Sequence, residues 1–227
     1  MRKSILNSET KKDIKKKNIF AAATKVFSIK GYKDTSIKDI ADEAAVSVGS
    51  FYFYFRNKED IIEQLYDEIA DMSIKIANSV SMKENDNVVK KFTSAMTITI
   101  CVYLKNKELS RILLLKCTGI NETFEKKRWE ILDKVNEYLE GVLVHLKTAH
   151  AVDISNVNVF SISLTYSIFG IITSLLQERI TIELEDVIFN LTTYHLRALK
   201  ILFTDIEVKQ YINDMLTLSN KESLKMC

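Results

Sequence analysis

Apolar residues recur three and four positions apart along nearly the whole chain. Ile19, Ala22, Ala23, Val26 and Phe27 form one such stripe, which predicts a helix over about 13–30. Gly31 follows the last periodic residue, where glycine readily takes the left-handed conformation that closes a helix. Ser36, with Asp39 three positions on, has the form of a weaker capping box, and Ile37, Ile40, Ala41 and Ala44 give the next short helix one buried face. After a break at 45–47, Ser47 can cap a third short helix reaching Phe53 or Tyr54. Two short helices about a tight turn make a helix-turn-helix layout. A longer helix is predicted from Lys58 to about Val80, carried by Ile61, Ile62, Leu65, Ile69, Met72 and Ile76, and the polar segment 81–87 ends it. Further helices are expected over roughly 88–105, 108–119, 121–149, 154–179, 184–203 and 206–222.

Composition narrows the fold class to all-α. The chain has 227 residues, no proline and five glycines, which disfavours a turn-dense β-sandwich and leaves no glycine-rich phosphate loop. Cys101, Cys117 and Cys227 are odd in number and widely spaced, so neither a disulfide framework nor a zinc site is indicated, and a reducing cytoplasm is the expected compartment. The first residues, MRKSILNSETKKDIKKK, lack the apolar run of a secretory signal. The stretch 154–177 carries no charge and is long enough to span a bilayer, but its Asn, Ser, Thr and Gln content favours a helix buried in a soluble protein. No membrane partner is expected.

Charge is asymmetric. Residues 1–60 hold 13 basic and 8 acidic side chains, while 61–227 hold 19 and 22. The excess sits in residues 1–17, where Arg2, Lys3, Lys11, Lys12, Lys15, Lys16 and Lys17 face only Glu9 and Asp13.

The run from Thr35 to Ile61, TSIKDIADEAAVSVGSFYFYFRNKEDI, closely resembles the N-terminal domain of the TetR family of transcriptional regulators. The resemblance rests on Ile40, Ala41, Ala44, Val46, Ser47, Gly49, Tyr52, Tyr54, Phe55, Lys58, Glu59 and Ile61, with Ile19, Ala22, Ala23, Phe27 and Gly31 similar to the family's first helix. It implies a three-helix, DNA-binding helix-turn-helix domain at 15–57, a basic N-terminal arm at 1–14, and a helical ligand-binding and dimerisation domain at 58–227. It further implies that Ser36, Ser47, Val48, Gly49, Ser50, Tyr52, Phe53, Tyr54 and Lys58 face double-stranded DNA, with Tyr52, Tyr54 and Lys58 as phosphate contacts.

The residues bear this out chemically. Small side chains at Gly49 and Ser50 let the third helix approach DNA, and free N–H groups in its first turn suit phosphate oxygens. Phe51 and Phe55 are expected in the core. Phe53 cannot share that face with both of them, so it either contacts a thymine methyl or joins the core. Two positions depart from the family pattern. Ala45 stands where a turn glycine is usual, at about 1 kcal/mol if φ is positive there, and Val48 stands where a polar residue often contacts DNA. The arm can lie along phosphates or enter the minor groove, or stay a solvated tail without DNA.

No catalytic constellation is legible. His145, His150 and His195 lack metal-pair spacing, and no carboxylate or cysteine joins them, so neither enzyme chemistry nor a metal or cofactor is expected. Ser163, Ser167, Gly170 and Ser174 form a small-residue stripe that suits close helix approach. With Leu191 and Ala198 on the next helix, they are the expected homodimer interface, as the resemblance implies. Met96, Ile100, Tyr103, Cys117, Phe124 and Trp129 mix apolar, aromatic and soft side chains suited to a small-molecule pocket, or to plain core. The expectation is a cytoplasmic, homodimeric, effector-responsive regulator, most simply a repressor. The alternative is a helical small-molecule carrier or enzyme without DNA binding.

Overall fold

No glycine or proline precedes Gly31, so nothing in the first thirty residues breaks a helix. In the computed structural model, helix α1 runs from Arg2 to Lys30, starting well before the Asp13 that the apolar stripe predicts. The stripe marks only where α1 becomes buried. Just upstream of it, the exposed Lys12, Lys15, Lys16 and Lys17, of good helix propensity, and the Asp13/Lys17 spacing sustain the helix in solvent. The expected separate arm is therefore, from Arg2 on, the opening turns of α1. The structure describes residues 2–81, 87–116, 119, 122–148 and 151–221.

Gly31 ends α1 at φ +80°, and its N–H donates to the Phe27 carbonyl at 2.9 Å. Helix α2 (Ile37–Glu43) opens on a full capping box: Asp39 N–H donates to Ser36 Oγ at 3.1 Å and Ser36 N–H to Asp39 Oδ2 at 2.8 Å. Helix α3 (Val48–Tyr54) is capped by Ser47, whose Oγ accepts from Ser50 N–H at 3.1 Å. Then follow α4 (Lys58–Ser81), α5 (Val88–Lys105), α6 (Lys107–Arg111) continuing as a π-helical turn Ile112–Lys116, α7 (Glu122–Thr148), α8 (Val157–Leu176), α9 (Leu184–Ala198) and α10 (Asp205–Lys221). Among the described residues there is no strand.

With glycine scarce, other residues take the left-handed turns. Ala45, Glu178 and Lys200 have φ of 53°, 58° and 55°. The last two explain why α8 and α9 stop at Leu176 and Ala198, short of the 179 and 203 that periodicity predicts. Ala45 lies in the turn between α2 and α3, so its departure from glycine carries real strain. Ala45→Gly is expected to stabilise the protein by about 1 kcal/mol, raising the thermal midpoint by roughly 2–4 °C for a chain of this size. Calorimetry of the two proteins checks it.

The chain forms two units. The first comprises residues up to Glu68 together with Glu108–Arg128, and the second Ile69–Lys107 together with the chain from Trp129 onward. Ile19, Phe27, Ile40, Phe51, Phe55 and Leu65 are sealed in the first core. In the second, α5 is buried on nearly every side and packs against α8, α9 and α10. Helix α8 is long and apolar enough to cross a bilayer, yet Leu164, Ile168, Phe169, Ile172 and Leu176 are buried inside this unit.

Candidate nucleic-acid interface

Helix α3 has seven residues, and their alternating fates follow from its short length. Phe51 and Phe55 are 0% and 1% exposed, whereas Tyr52 is 56% and Phe53 67% exposed. The aromatic run is thus split: two rings anchor the helix and two stand on its outer surface. This resolves Phe53 as exposed. Tyr54 is half-buried, its ring meeting Phe53 edge-on with centroids 5.0 Å apart. Ser47, Val48 and Gly49 are exposed and Ser50 half-buried. A Cβ at Gly49 would meet nothing nearer than Ser47 Oγ at 3.8 Å. Nothing inside the free protein therefore demands a glycine there.

The early part of α1 joins this surface. Lys12 Nζ sits 5.1 Å from the centre of the Phe53 ring and Lys16 Nζ 5.6 Å from that of Phe55. Cation–π attraction at an exposed ring such as Phe53 contributes about 0.5–1 kcal/mol, enough to bias Lys12 toward α3 while leaving it able to reach phosphates. Charge at residues 12 and 16 and the aromatic face of α3 form one ridge. The sequence separates them by some forty positions, and only the helical spacing of an extended α1 could have revealed the pairing.

Several expected contacts have structural duties as well. Ser36 is exposed, but its hydroxyl donates to Asp39 Oδ2 at 2.7 Å while capping α2. Lys30 Nζ lies 2.8 Å from Asp39 Oδ1. Its hydrogen bond, followed by those from Ser36, holds the Asp39 carboxyl well below the usual carboxylate range. Lys58 Nζ donates to the carbonyls of Tyr32 at 2.9 Å and Thr35 at 2.6 Å and lies 4.3 Å over the Tyr32 ring. Two of its three donors thus pin the α1–α2 loop from the start of α4, and its part in phosphate binding is correspondingly narrowed.

Tyr32 is the residue sequence reasoning missed. Buried at 7% exposure, it packs on Phe27, meets Phe124 edge-on at 4.8 Å and donates its hydroxyl to Glu59. The first turns of α7 are thereby tied to the helix-turn-helix. Lys127 and Asp67, 2.9 Å apart, tie α7 to α4 in the same unit. Tyr32 follows the capping glycine and shows no periodicity, so nothing in the pattern marked it.

The expected pocket residues fall in both units. Met96, Ile100 and Tyr103 are buried along α5 in the second unit, but Phe124 belongs to the core of the first. Trp129 is 46% exposed, its ring 6.5 Å from that of Tyr166, and Cys117 lies outside the described residues. Phe124 is claimed by Tyr32, and Trp129 falls on the outer side of α7. Of the expected interface, Ser163, Gly170 and Ala198 are exposed and Ser167 and Ser174 half-buried. Leu191 is buried inside its own unit at 9% exposure. Val159, Ile162 and Tyr166 on α8 and Tyr194 on α9 are exposed in its stead.

The sequence profile of bacterial regulatory proteins of the tetR family matches residues 19–65. A fatty acid metabolism regulator protein of Bacillus subtilis (strain 168) is 28% identical over 125 residues, which are 55% of this chain and 64% of that protein. The match thus spans under two thirds of this relative's length. Among solved structures, the fatty acid degradation regulator FadR of Bacillus halodurans superposes with a TM-score of 0.71 at 20% identity, over 79% of this chain and 93% of that one. FadR from Bacillus subtilis in complex with stearoyl-CoA gives 0.59 at 22% identity, over 89% and 96%. These structural likenesses extend the shared fold over both units.

Proposed function

We propose, from the match of residues 19–65 to the tetR family of bacterial regulatory proteins, that this chain is a cytoplasmic repressor of that type, binding a near-palindromic operator as a homodimer and released by a small molecule. One observation carries the DNA-binding part: α3 turns Gly49, Tyr52 and Phe53 outward while Phe51 and Phe55 hold it from beneath. A carrier or enzyme would have no use for that surface. In a dimer, two copies of α3 enter successive major grooves about 34–36 Å apart. Tyr52 donates to phosphate and Phe53 meets a thymine methyl, while the N-terminal turns of α1 follow the backbone.

Release needs an element that an effector can bias. Helices α4 and α7 each pass from one unit into the other, and Lys58, Asp67, Phe124 and Lys127 fix their first-unit ends. An effector favouring one arrangement of these helices shifts the population of binding-competent dimers. Moving it from 1:99 to 99:1 takes roughly 5.5 kcal/mol of differential affinity. The relatives named above are fatty acid regulators, one solved with stearoyl-CoA, so compounds with a long hydrocarbon chain are the first effectors to try.

Titration of promoter DNA from the protein's own locus at two salt concentrations tests the reading, because a carrier shows neither sequence preference nor a steep salt slope. Tyr52→Phe should weaken binding about tenfold on every site, the loss of one hydrogen bond to a charged group. Phe53→Ala should instead reorder the preferred bases. Equal effects of both variants on all sites would refute that division of roles.

A further inference from the structure

Three threonine hydroxyls in the second unit are buried in a way helical threonines ordinarily avoid. A helical threonine can turn its hydroxyl onto the carbonyl one turn earlier, as Thr97 does onto Thr93 O and Thr99 onto Ala95 O, both at 2.8 Å. Thr93 on α5, Thr165 on α8 and Thr192 on α9 do not. Each is at most 1% exposed, and its Oγ1 has no hydrogen-bond partner among the described residues. A buried hydroxyl left unmet destabilises a fold, and α5 packs on both of the other helices.

His195 marks where the three helices converge. Its imidazole is buried, and its ring centre lies 6.5 Å from that of Phe92, the neighbour of Thr93. Its Nε2 is 2.7 Å from Ser167 Oγ, two residues past Thr165, and it follows Thr192 by one turn of α9. Ser167 Oγ also lies 2.8 Å from the Leu164 carbonyl oxygen, so its hydroxyl is fully engaged within the unit. Burial pushes this imidazole down to about 4, so it is neutral at physiological pH. Among the described residues no Lys, Arg, Asp or Glu is buried. A carboxylate, phosphate or ammonium placed here would be an unpaired buried charge. From Thr93, the same side of α5 continues through the buried Met96 and Ile100.

We propose that Thr93, Thr165 and Thr192 bind the uncharged oxygen function, a hydroxyl or carbonyl, of an otherwise apolar effector whose hydrocarbon part lies along Met96 and Ile100. This rests on the effector-responsive reading above and names the chemistry of its ligand. The hydroxyls stay unmet in the free protein and are satisfied on binding.

The test uses the full chain with 1-octanol, 2-octanone, octanoate and octylammonium at equal concentration, and valine in place of the three threonines, singly and together. Valine keeps the shape and removes the hydroxyl. The two neutral compounds should raise the thermal midpoint by several degrees and the two ions should not. The triple variant should match or exceed the free wild type in midpoint and bind 2-octanone at least tenfold more weakly. Four results would each overturn the proposal: no octyl compound binding, ions binding as well as neutral compounds, a response surviving in the triple variant, or a lowered midpoint in the free variant, which would mean that the hydroxyls hold structural water. Operator binding is measured alongside. If it persists, such a result removes only this proposal, whereas its absence in the wild type strikes the regulator reading itself.

Discussion

Glutamine at Lys12, Lys15 and Lys16 together is expected to weaken operator binding roughly a hundredfold at about 0.15 M salt, and to flatten the salt dependence. The three positions share one side of α1, since residues three and four apart in a helix are neighbours, and Lys12 and Lys16 stand over the rings of Phe53 and Phe55. A phosphate neutralised by each lysine adds about −0.9 to the slope of log K against log salt, so losing three removes about 2.7. Extrapolated from 1 M salt, each contact is then worth roughly fivefold in affinity. Glutamine has nearly the helix propensity of lysine, so α1 should persist, and circular dichroism checks that it does. An unchanged slope with intact helicity would show that α1 does not follow the phosphates. The phosphate term is blind to sequence, so operator and random DNA should lose affinity alike, in contrast to Phe53→Ala.

How much of this was legible beforehand depends on the range over which each signal acts. The capping residues Ser36 and Ser47, the glycine at 31 and the burial of Phe51 and Phe55 are local. A cap needs only its own first turn, and a seven-residue helix has room for one buried face. The family resemblance covered the same short stretch, which is where the interface lies. What escaped were pairings across distance. Tyr32 meets Phe124 some ninety positions on, and Lys58 reaches back to the carbonyls of Tyr32 and Thr35. The family resemblance suggested a phosphate contact for Lys58, and residue type a pocket wall for Phe124; neither signal reaches a partner so far along the chain. Likewise, the small-residue stripe on α8 was visible, but that Leu191 packs within its own unit was not, because apolarity does not say which side of α9 faces inward. The length of α1 was missed for the opposite reason: a solvated helix carries no apolar period to read.

Arginine at Gly170 is expected to convert the protein from a dimer to a folded monomer and to weaken operator binding by roughly a hundredfold or more, the avidity lost when two linked half-sites are read separately. Gly170 lies on the exposed side of α8, close in sequence to the exposed Tyr166. With Val159 and Ile162 on α8 and Tyr194 on α9, also exposed, this is apolar surface of the kind that marks an interaction site. The Ser167–His195 hydrogen bond ties the two helices together at 2.7 Å. A Cβ at Gly170 would meet nothing within 4 Å, so the subunit itself has room for the larger side chain, and helix propensity favours arginine over glycine. In the proposed dimer the same patch meets its own copy across a two-fold axis, so each arginine would stand against the partner subunit and bring a second cation near the first. Sedimentation should report 26.1 kDa for the variant and twice that for the wild type. Affinity for an isolated half-site should be unchanged, because α3 is untouched. A variant that remains dimeric with full operator affinity would place the subunit contact elsewhere, and the small-residue stripe would then owe its exposure to something other than a second copy of the chain.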